Sequence, residues 1–249
     1  ISDYKLSDDG KTFEFSIKEN AKWSDGQPFN IDDVIFTVDL VKDSEYLSPL
    51  RTNWQGVEIQ KISDYKAVFK LQQSYSGFEE NLVNLKIMPA HIWKGMSTQE
   101  IASNRQLNMI SPIGSGPYTV KKTIQKSDSS IKSMILIANK SYYGSKPHIQ
   151  RIDLYFYSTE SEIINNLQKG NIDAGAIQNP DSYDVKKLKN DKLYSIETPG
   201  YFAVFLNNKK SLFKDKSVRQ ALAMAIDKNE LVTGVLKGNG AAASSPIVP

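Results

Sequence analysis

The run from Lys22 to Val34 constrains the fold more than any other part of the chain, because it combines a strand end, a tight turn and a helix start. Ser24-Asp25-Gly26 is typical of a turn, since an aspartate side chain can accept a hydrogen bond from the backbone ahead of it and glycine tolerates a positive φ. Pro28 lacks a backbone donor and interrupts strand pairing. The run predicts a turn that leads directly into a helix, with Trp23 packed beneath that turn.

The helix after this turn is predicted from its cap and from its apolar spacing. Asn30 is a favourable N-cap, and Asp32 and Asp33 fall in the first turn, where a carboxylate suits the positive end of the helix dipole. Apolar residues recur at helical spacing at Ile31, Val34, Ile35, Val38 and Val41. We expect a helix from Ile31 to about Lys42. Capping and solvation account for Asp32 and Asp33 better than paired-carboxylate chemistry does. Adjacent side chains point apart on a helix, so the two carboxylates cannot share a proton.

Four segments in order resemble a known family. They are Leu6–Phe13 with the run just described, Gly114–Tyr118, Leu206-Asn207-Asn208 with Phe213–Asp215, and Val218–Asp227. Together they resemble the family 5 extracellular solute-binding proteins, which are the oligopeptide-, dipeptide- and nickel-binding receptors of ABC importers. The match is specific for the family and leaves the ligand open.

The resemblance implies an α+β (mixed α/β) fold of the periplasmic-binding-protein-like class. It implies that residues 1–88 form an insertion subdomain of lobe one, 89–207 the main part of that lobe with a mixed sheet, and 208–249 the helical start of a truncated lobe two. Family members carry a secretion signal or lipoprotein leader upstream and a large lobe downstream. We therefore expect the chain to be a fragment of a longer, exported protein. The Gly/Pro/Ser-rich stretch 111–117 is the best candidate boundary.

The other elements follow from alternation, capping signals and glycines. Strands are expected at Lys11–Lys18, Tyr65–Leu71, Tyr118–Lys122, Ile131–Ala138, Ile149–Tyr157, Ile172–Ile177, Leu193–Glu197 and Phe202–Asn207. Helices are expected at Phe78–Leu85, from Pro89, from Thr159 to Gly170, from Asp215 or Ser217, and from Asp227 to Gly238. The order from Ile149 to Ile177 predicts a crossover with a parallel strand pair. The helix after Asp215 is expected to turn its apolar residues inward, namely Val218, Ala221, Leu222, Ala225 and Ile226.

Composition excludes several classes of function. The chain has no cysteine, which removes disulfides, thiol catalysis and thiolate metal sites. Its net charge is only +3 and its basic residues are scattered, so no nucleic-acid partner is expected. No apolar stretch approaches the roughly 20 residues that span a bilayer.

Catalysis and metal binding find little support. The two histidines, His91 and His148, are far apart, and no pair of ligands has metal-binding spacing. We therefore predict no enzyme activity, no cofactor and no metal. A Ser-His-Asp arrangement assembled in space, and hence a hydrolase, stays open as a distant alternative.

The candidate ligand contacts are aromatic. The resemblance places Tyr201 and Phe202, together with Gly200 in the turn before them, beside the ligand cleft, and Tyr75 and Phe78 in a second region near it. Tyrosine can pack against a bound backbone and also donate a hydrogen bond. Ordinary core packing is the competing explanation for all these rings.

The implied function is peptide capture for an ABC importer, by closure of two lobes around the ligand. The partners would be a peptide and a membrane permease, and the protein would be a monomer outside the cytoplasm, in the periplasm or on the cell surface, with a lipid anchor as one possibility. Two alternatives stay open: a receptor or adhesion module without transport, and a member that binds nickel or another small solute. The charged groups that clamp peptide termini in the family lie in the opposite lobe and cannot be assigned here.

Overall fold

The computed structural model describes residues 1–75, 77–178, 192, 194, 196 and 200–245. The chain packs as two compact units, Ile1–Phe156 (unit 1) and Tyr157–Pro249 (unit 2). The predicted division at residues 88 and 207 stays a prediction.

Unit 1 contains two antiparallel sheets. The first has the strand order β1-β2-β4-β3, and the second has the order β5-β6-β7. The strands are β1 Asp3–Leu6, β2 Thr12–Ser16, β3 Val57–Ser63, β4 Lys66–Leu71, β5 Tyr118–Gln125, β6 Ile131–Ala138 and β7 Arg151–Tyr155. The helices are α1 Ile31–Lys42, α2 Arg51–Trp54, α3 Phe78–Asn84, α4 Ala90–Trp93 and α5 Thr98–Ser103, followed by a π-helical turn, Gln106–Ile110.

The core of unit 1 is aromatic. Strand pairing places Phe13 and Phe15 of β2 and Phe69 of β4 on one face of the sheet, and all three are at most 2% exposed. The Phe15 and Phe69 rings stack with centroids 4.7 Å apart. Trp54 and Phe78 close the cluster from α2 and α3, with ring centroids 5.7 Å apart. Such edge and stacked contacts add to the burial of large apolar area.

Helix α1 forms as the sequence predicts. The Asn30 side chain accepts a hydrogen bond from the Asp32 backbone N–H, and the Asp33 side chain accepts one from the Asn30 N–H, which completes a capping box. The apolar face predicted for this helix is buried at Ile31, Val34, Val38 and Val41. Burial of the apolar face and hydrogen bonding of the first backbone N–H groups therefore both stabilise α1.

In the second sheet, β6 has the bounds that were predicted for it. Strand β5 is three residues longer than predicted, and β7 is shorter than predicted at both ends. The polar stretch 126–130 forms the expected hairpin turn: the Lys126 N–H donates to the Ser130 carbonyl over 2.8 Å, and Ser129 adopts φ +66°.

The regular elements described in unit 2 are helices and helical turns. Its elements are α6 Glu160–Gln168, α7 Ser211–Lys214, α8 Lys216–Met224, α9 Lys228–Glu230 and a π-helical turn, Leu231–Val235. Thr159 and Glu162 form the predicted capping box, and Gly170 leaves α6 with φ +68°. Asp215 caps α8 and Asp227 caps α9. Arg219 lies on the surface of α8 and donates to the carbonyls of Phe213 and Lys214.

Four predictions for the second half of the chain are wrong. Ile172–Ile177 and Phe202–Asn207 are not strands, and every strand pair within the described residues is antiparallel. A strand needs a partner edge, which alternation in one segment cannot supply. The apolar face predicted to turn inward is exposed at Leu222 of α8 and at Ile226 just after this helix, because nothing in the described part of the chain covers them. The predicted strand Leu193–Glu197 lies largely outside the described residues.

Candidate functional site

The two candidate aromatic regions have different environments. In unit 2, Tyr201 is 46% exposed and Phe202 is 94% exposed, and Phe205 is similarly open at 87%. Gly200, which precedes them, has open space around its α-carbon. The structure thus presents this stretch as an exposed aromatic surface, and the role of Gly200, Tyr201 and Phe202 in ligand binding stays a prediction.

The second region, in unit 1, combines an exposed ring with a buried one. Tyr75 is 53% exposed, and its carbonyl accepts a hydrogen bond from the Phe78 N–H at the start of α3. Phe78 is only 4% exposed and packs edge-on against Phe13 and Phe69. Core packing therefore accounts for the Phe78 ring, while Tyr75 is accessible.

A polar junction forms beneath the Lys22–Val34 run, and Asp33 lies at its centre. One carboxylate oxygen accepts hydrogen bonds from Trp23 Nε1 and the Asn30 N–H, each over 3.0 Å, and the other accepts one from the Ala90 N–H over 2.7 Å. Asp33 is 3% exposed and Trp23 is 1% exposed. The structural role predicted for Trp23 is confirmed, and Asp33 does more than cap its helix.

Thr37 extends this junction one turn along α1. Its hydroxyl donates to the Asp33 carbonyl and accepts from the Met88 N–H, both over 2.8 Å. Asp33 and Thr37 lie on the same face of the helix. Together they hold the backbone of residues 88–90 and fix the start of α4.

His91 joins the junction from α4. Its Nε2 lies 2.7 Å from Asp25 Oδ2, and the other Asp25 oxygen accepts a hydrogen bond from the Gln27 N–H. Partial burial acts to raise the pKa of Asp25, but the hydrogen bonds from His91 and Gln27 outweigh it, so this pKa lies below its ordinary value. Sequence patterns do not reveal this pair, because the two residues are 66 positions apart.

None of these arrangements has the geometry of a metal site. Across the described residues, no group of three or more histidine, aspartate or glutamate side chains could hold a metal ion. No helix in the same residues is both long and apolar enough to cross a membrane.

Comparison with known proteins identifies the family. The model of the bacterial extracellular solute-binding proteins, family 5 Middle, matches residues 1–249. The chain belongs to family 5 of the extracellular solute-binding proteins. The resemblance carried by the four segments is confirmed, and family 5 is a family of solute-binding proteins rather than enzymes.

Individual family 5 members resemble the chain along almost its full length. The oligopeptide-binding protein AppA of Bacillus subtilis (strain 168) is 30% identical over 247 residues, covering 98% of this chain and 44% of that protein. A putative ABC transporter peptide-binding protein of Brucella ovis is 26% identical over 239 residues, covering 94% of this chain and 44% of that protein. The chain thus spans less than half the length of these relatives.

Solved structures confirm the fold class. AppA from Bacillus subtilis, in complex with a nonapeptide, matches with a TM-score of 0.81 and 28% identity, over 100% of this chain and 48% of that one. NikZ from Campylobacter jejuni, in complex with Ni(L-His), matches with a TM-score of 0.80 and 24% identity, over 98% and 48%. The predicted mixed α/β, periplasmic-binding-protein-like class is therefore confirmed for this chain.

Proposed function

We propose that the chain is part of a substrate-binding protein that captures peptides and delivers them to the permease of an ABC importer. The observation that carries this proposal is the match to AppA over 98% of the chain, since that relative is an oligopeptide-binding protein. The relative from Brucella ovis adds the link to an ABC transporter through its name. The captured peptide is released unchanged, since the proposed mechanism is closure of two lobes around the ligand.

The proposed ligand contacts are the exposed stretch Gly200-Tyr201-Phe202 in unit 2 and, separately, Tyr75 in unit 1. Exposed aromatic rings offer large, rigid contact area at a low cost in side-chain entropy. The half-exposed Tyr201 can both pack against a peptide and donate a hydrogen bond from its hydroxyl. Phe78 enters this proposal through its backbone, which holds the segment that carries Tyr75.

The proposed setting follows from the family, whose members are extracellular. We place the protein in the periplasm or on the cell surface, as a monomer that meets its permease at the membrane. Attachment through a lipid anchor is a further part of this proposal.

The test is calorimetric titration of the longer parent protein with pools of di- to penta-peptides, a nonapeptide and nickel chloride. We expect heat of binding from a peptide pool, and mass spectrometry should recover the bound peptide intact. Binding of nickel alone would favour the small-solute alternative. The absence of any peptide binding would refute the peptide assignment.

A variant tests the proposed surface separately. Tyr201→Ala in the parent is expected to weaken peptide binding about tenfold, the scale of one well-packed aromatic contact, and to leave the unfolding midpoint unchanged. Tyr155→Ala is the matched control, because it removes a tyrosine of similar exposure that has no proposed ligand role, and it should leave peptide binding unchanged. If Tyr201→Ala lowers stability as much as affinity, core packing is the correct explanation for Tyr201.

A further inference from the structure

The turn at residues 23–29 is tied to two other segments of unit 1 by polar contacts. The Ser24 N–H donates to the Gly114 carbonyl over 2.8 Å, and the Gly114 N–H donates back to the Ser24 hydroxyl over 3.3 Å. On its other side, Asp25 contacts His91 of α4. One turn therefore joins α4 to the Gly/Pro/Ser-rich connector.

The charged groups around His91 determine which of them a protonated His91 ring would contact. Asp25 is the carboxylate at hydrogen-bond distance from the ring, and Lys94 lines the same recess of about 450 Å³. Asp32 and Asp33 of α1 also line this recess. Asp32 is paired with Lys61 over 2.9 Å, and Asp33 is occupied by three N–H donors. Asp25 is thus the anion that a positive charge on His91 would meet directly, with Lys94 opposing it.

We propose that His91 and Asp25 form a pH-sensitive latch, which holds the turn more tightly to α4 and to the connector in mildly acidic solution. This proposal is independent of the peptide-capture function. A protonated imidazole bonded to a carboxylate is a charge-assisted pair, which is stronger than the bond from a neutral ring.

The pH range of the latch follows from the two side chains. Histidine is the side-chain type whose charge ordinarily changes between about pH 5 and pH 8, so that range is the one in which the latch is tested. The depressed pKa of Asp25 keeps its carboxylate ionised below the ordinary carboxyl range. A charged imidazole at position 91 would therefore meet an ionised carboxylate in mildly acidic solution, 2.7 Å away.

The test is amide hydrogen exchange, measured by NMR on this chain at about pH 5.5 and about pH 8. The reporters are the Ser24 and Gln27 amides, which donate to the Gly114 carbonyl and to Asp25. The reference is the Ile17 amide, which donates to the Tyr65 carbonyl over 2.9 Å. Relative to the reference, we expect the reporters to be about threefold better protected at the lower pH, the size typical of a partly exposed ion pair.

Three variants isolate the pair. His91→Gln keeps a side-chain N–H donor without the titration, and Asp25→Asn keeps an oxygen for the Gln27 N–H without the charge. Each is expected to abolish the pH dependence. His148→Gln removes the other histidine, which is exposed, and should leave the dependence intact. The proposal is overturned if the native reporters show no pH dependence, or if that dependence survives in His91→Gln.

Discussion

Replacing Asp33 by asparagine is expected to destabilise unit 1 strongly, although the side chain keeps its shape. The carboxylate accepts three N–H donors and is 3% exposed. An asparagine has one acceptor oxygen, so in either orientation its NH₂ group faces the Ala90 N–H or the donors of Trp23 and Asn30. Hydrogen bonds to a charged group contribute about 1.5–3 kcal/mol, and an unpaired buried donor adds a further penalty. We expect a loss of about 2–4 kcal/mol in the free energy of unfolding.

Asp32 provides a matched control one residue away. Its side chain is 59% exposed and its ion pair with Lys61 is solvent-accessible. Exposed pairs contribute about 0–1 kcal/mol, so Asp32→Asn should cost less than about 1 kcal/mol. Both variants lose one negative charge at nearly the same place. The difference between their free energies of unfolding therefore measures burial and hydrogen bonding rather than the loss of charge.

The assay is urea unfolding at neutral pH, followed by tryptophan fluorescence. All three tryptophans, at positions 23, 54 and 93, lie in unit 1, so the signal reports on that unit. Coincident transitions by fluorescence and circular dichroism would justify a two-state fit. If Asp33→Asn and Asp32→Asn agree within about 0.5 kcal/mol, the limit for ordinary surface changes, the junction does not have the energetic role assigned to it.

Three further variants test other parts of the structure by the same urea assay. Gly26→Ala should lower the free energy of unfolding by about 1–2 kcal/mol, because Gly26 has φ +91° and the added methyl group would meet no other atom. Gly114→Ala is the control and should be neutral, because Gly114 has the same open space without a positive φ. Equal effects of the two changes would contradict the backbone explanation. Phe78→Ala should cost about 3–5 kcal/mol as a core truncation, and a loss below about 1 kcal/mol would contradict its place in the core. Because the pKa of Asp25 is depressed in the fold, its contribution is present above the ordinary carboxyl range and is lost as the pH falls through the folded pKa. The stability gap between the native chain and Asp25→Asn should therefore narrow from about pH 6 to about pH 3, and a constant gap would contradict the assigned shift.

Elements with local signals were predictable from the sequence. The cap at Asn30, the apolar spacing of α1, the alternation of β2 and the capping box at Thr159 all operate within a few residues, and each forms as expected. Side chains that bond the adjacent backbone carry their structural information in the sequence itself.

The polar junction was not predictable, because its contacts join distant positions. Asp33 and Ala90 are 57 residues apart, and neither residue type indicates the other. Asp33 also has the sequence position of a capping-box residue, so its role in capping was enough to explain its presence there. The available signal was a tryptophan before the turn together with an aspartate at the third helical position, since a buried indole N–H usually finds an acceptor.

Strand predictions failed for a related reason in unit 2. Alternation at Phe202–Asn207 predicts which side chains share a face but says nothing about a neighbouring strand. Among the described residues of unit 2, Ile164 is the one buried apolar side chain, and no sheet edge lies beside this segment in that unit. The same alternating residues therefore lie in an unpaired conformation.

The contrast between the units determines how the ligand surface must be tested. Unit 1 buries its aromatic rings, whereas unit 2 leaves Phe202, Phe205 and Met224 more than 85% exposed. Met224 lies on a helix with no proposed ligand role, so exposure by itself does not distinguish a binding residue from an uncovered apolar one. Ligand contact has a separate signature, because a contacting ring contributes to affinity and an exposed ring contributes little to folding. The decisive quantity for Tyr201 is therefore the ratio of affinity lost to stability lost.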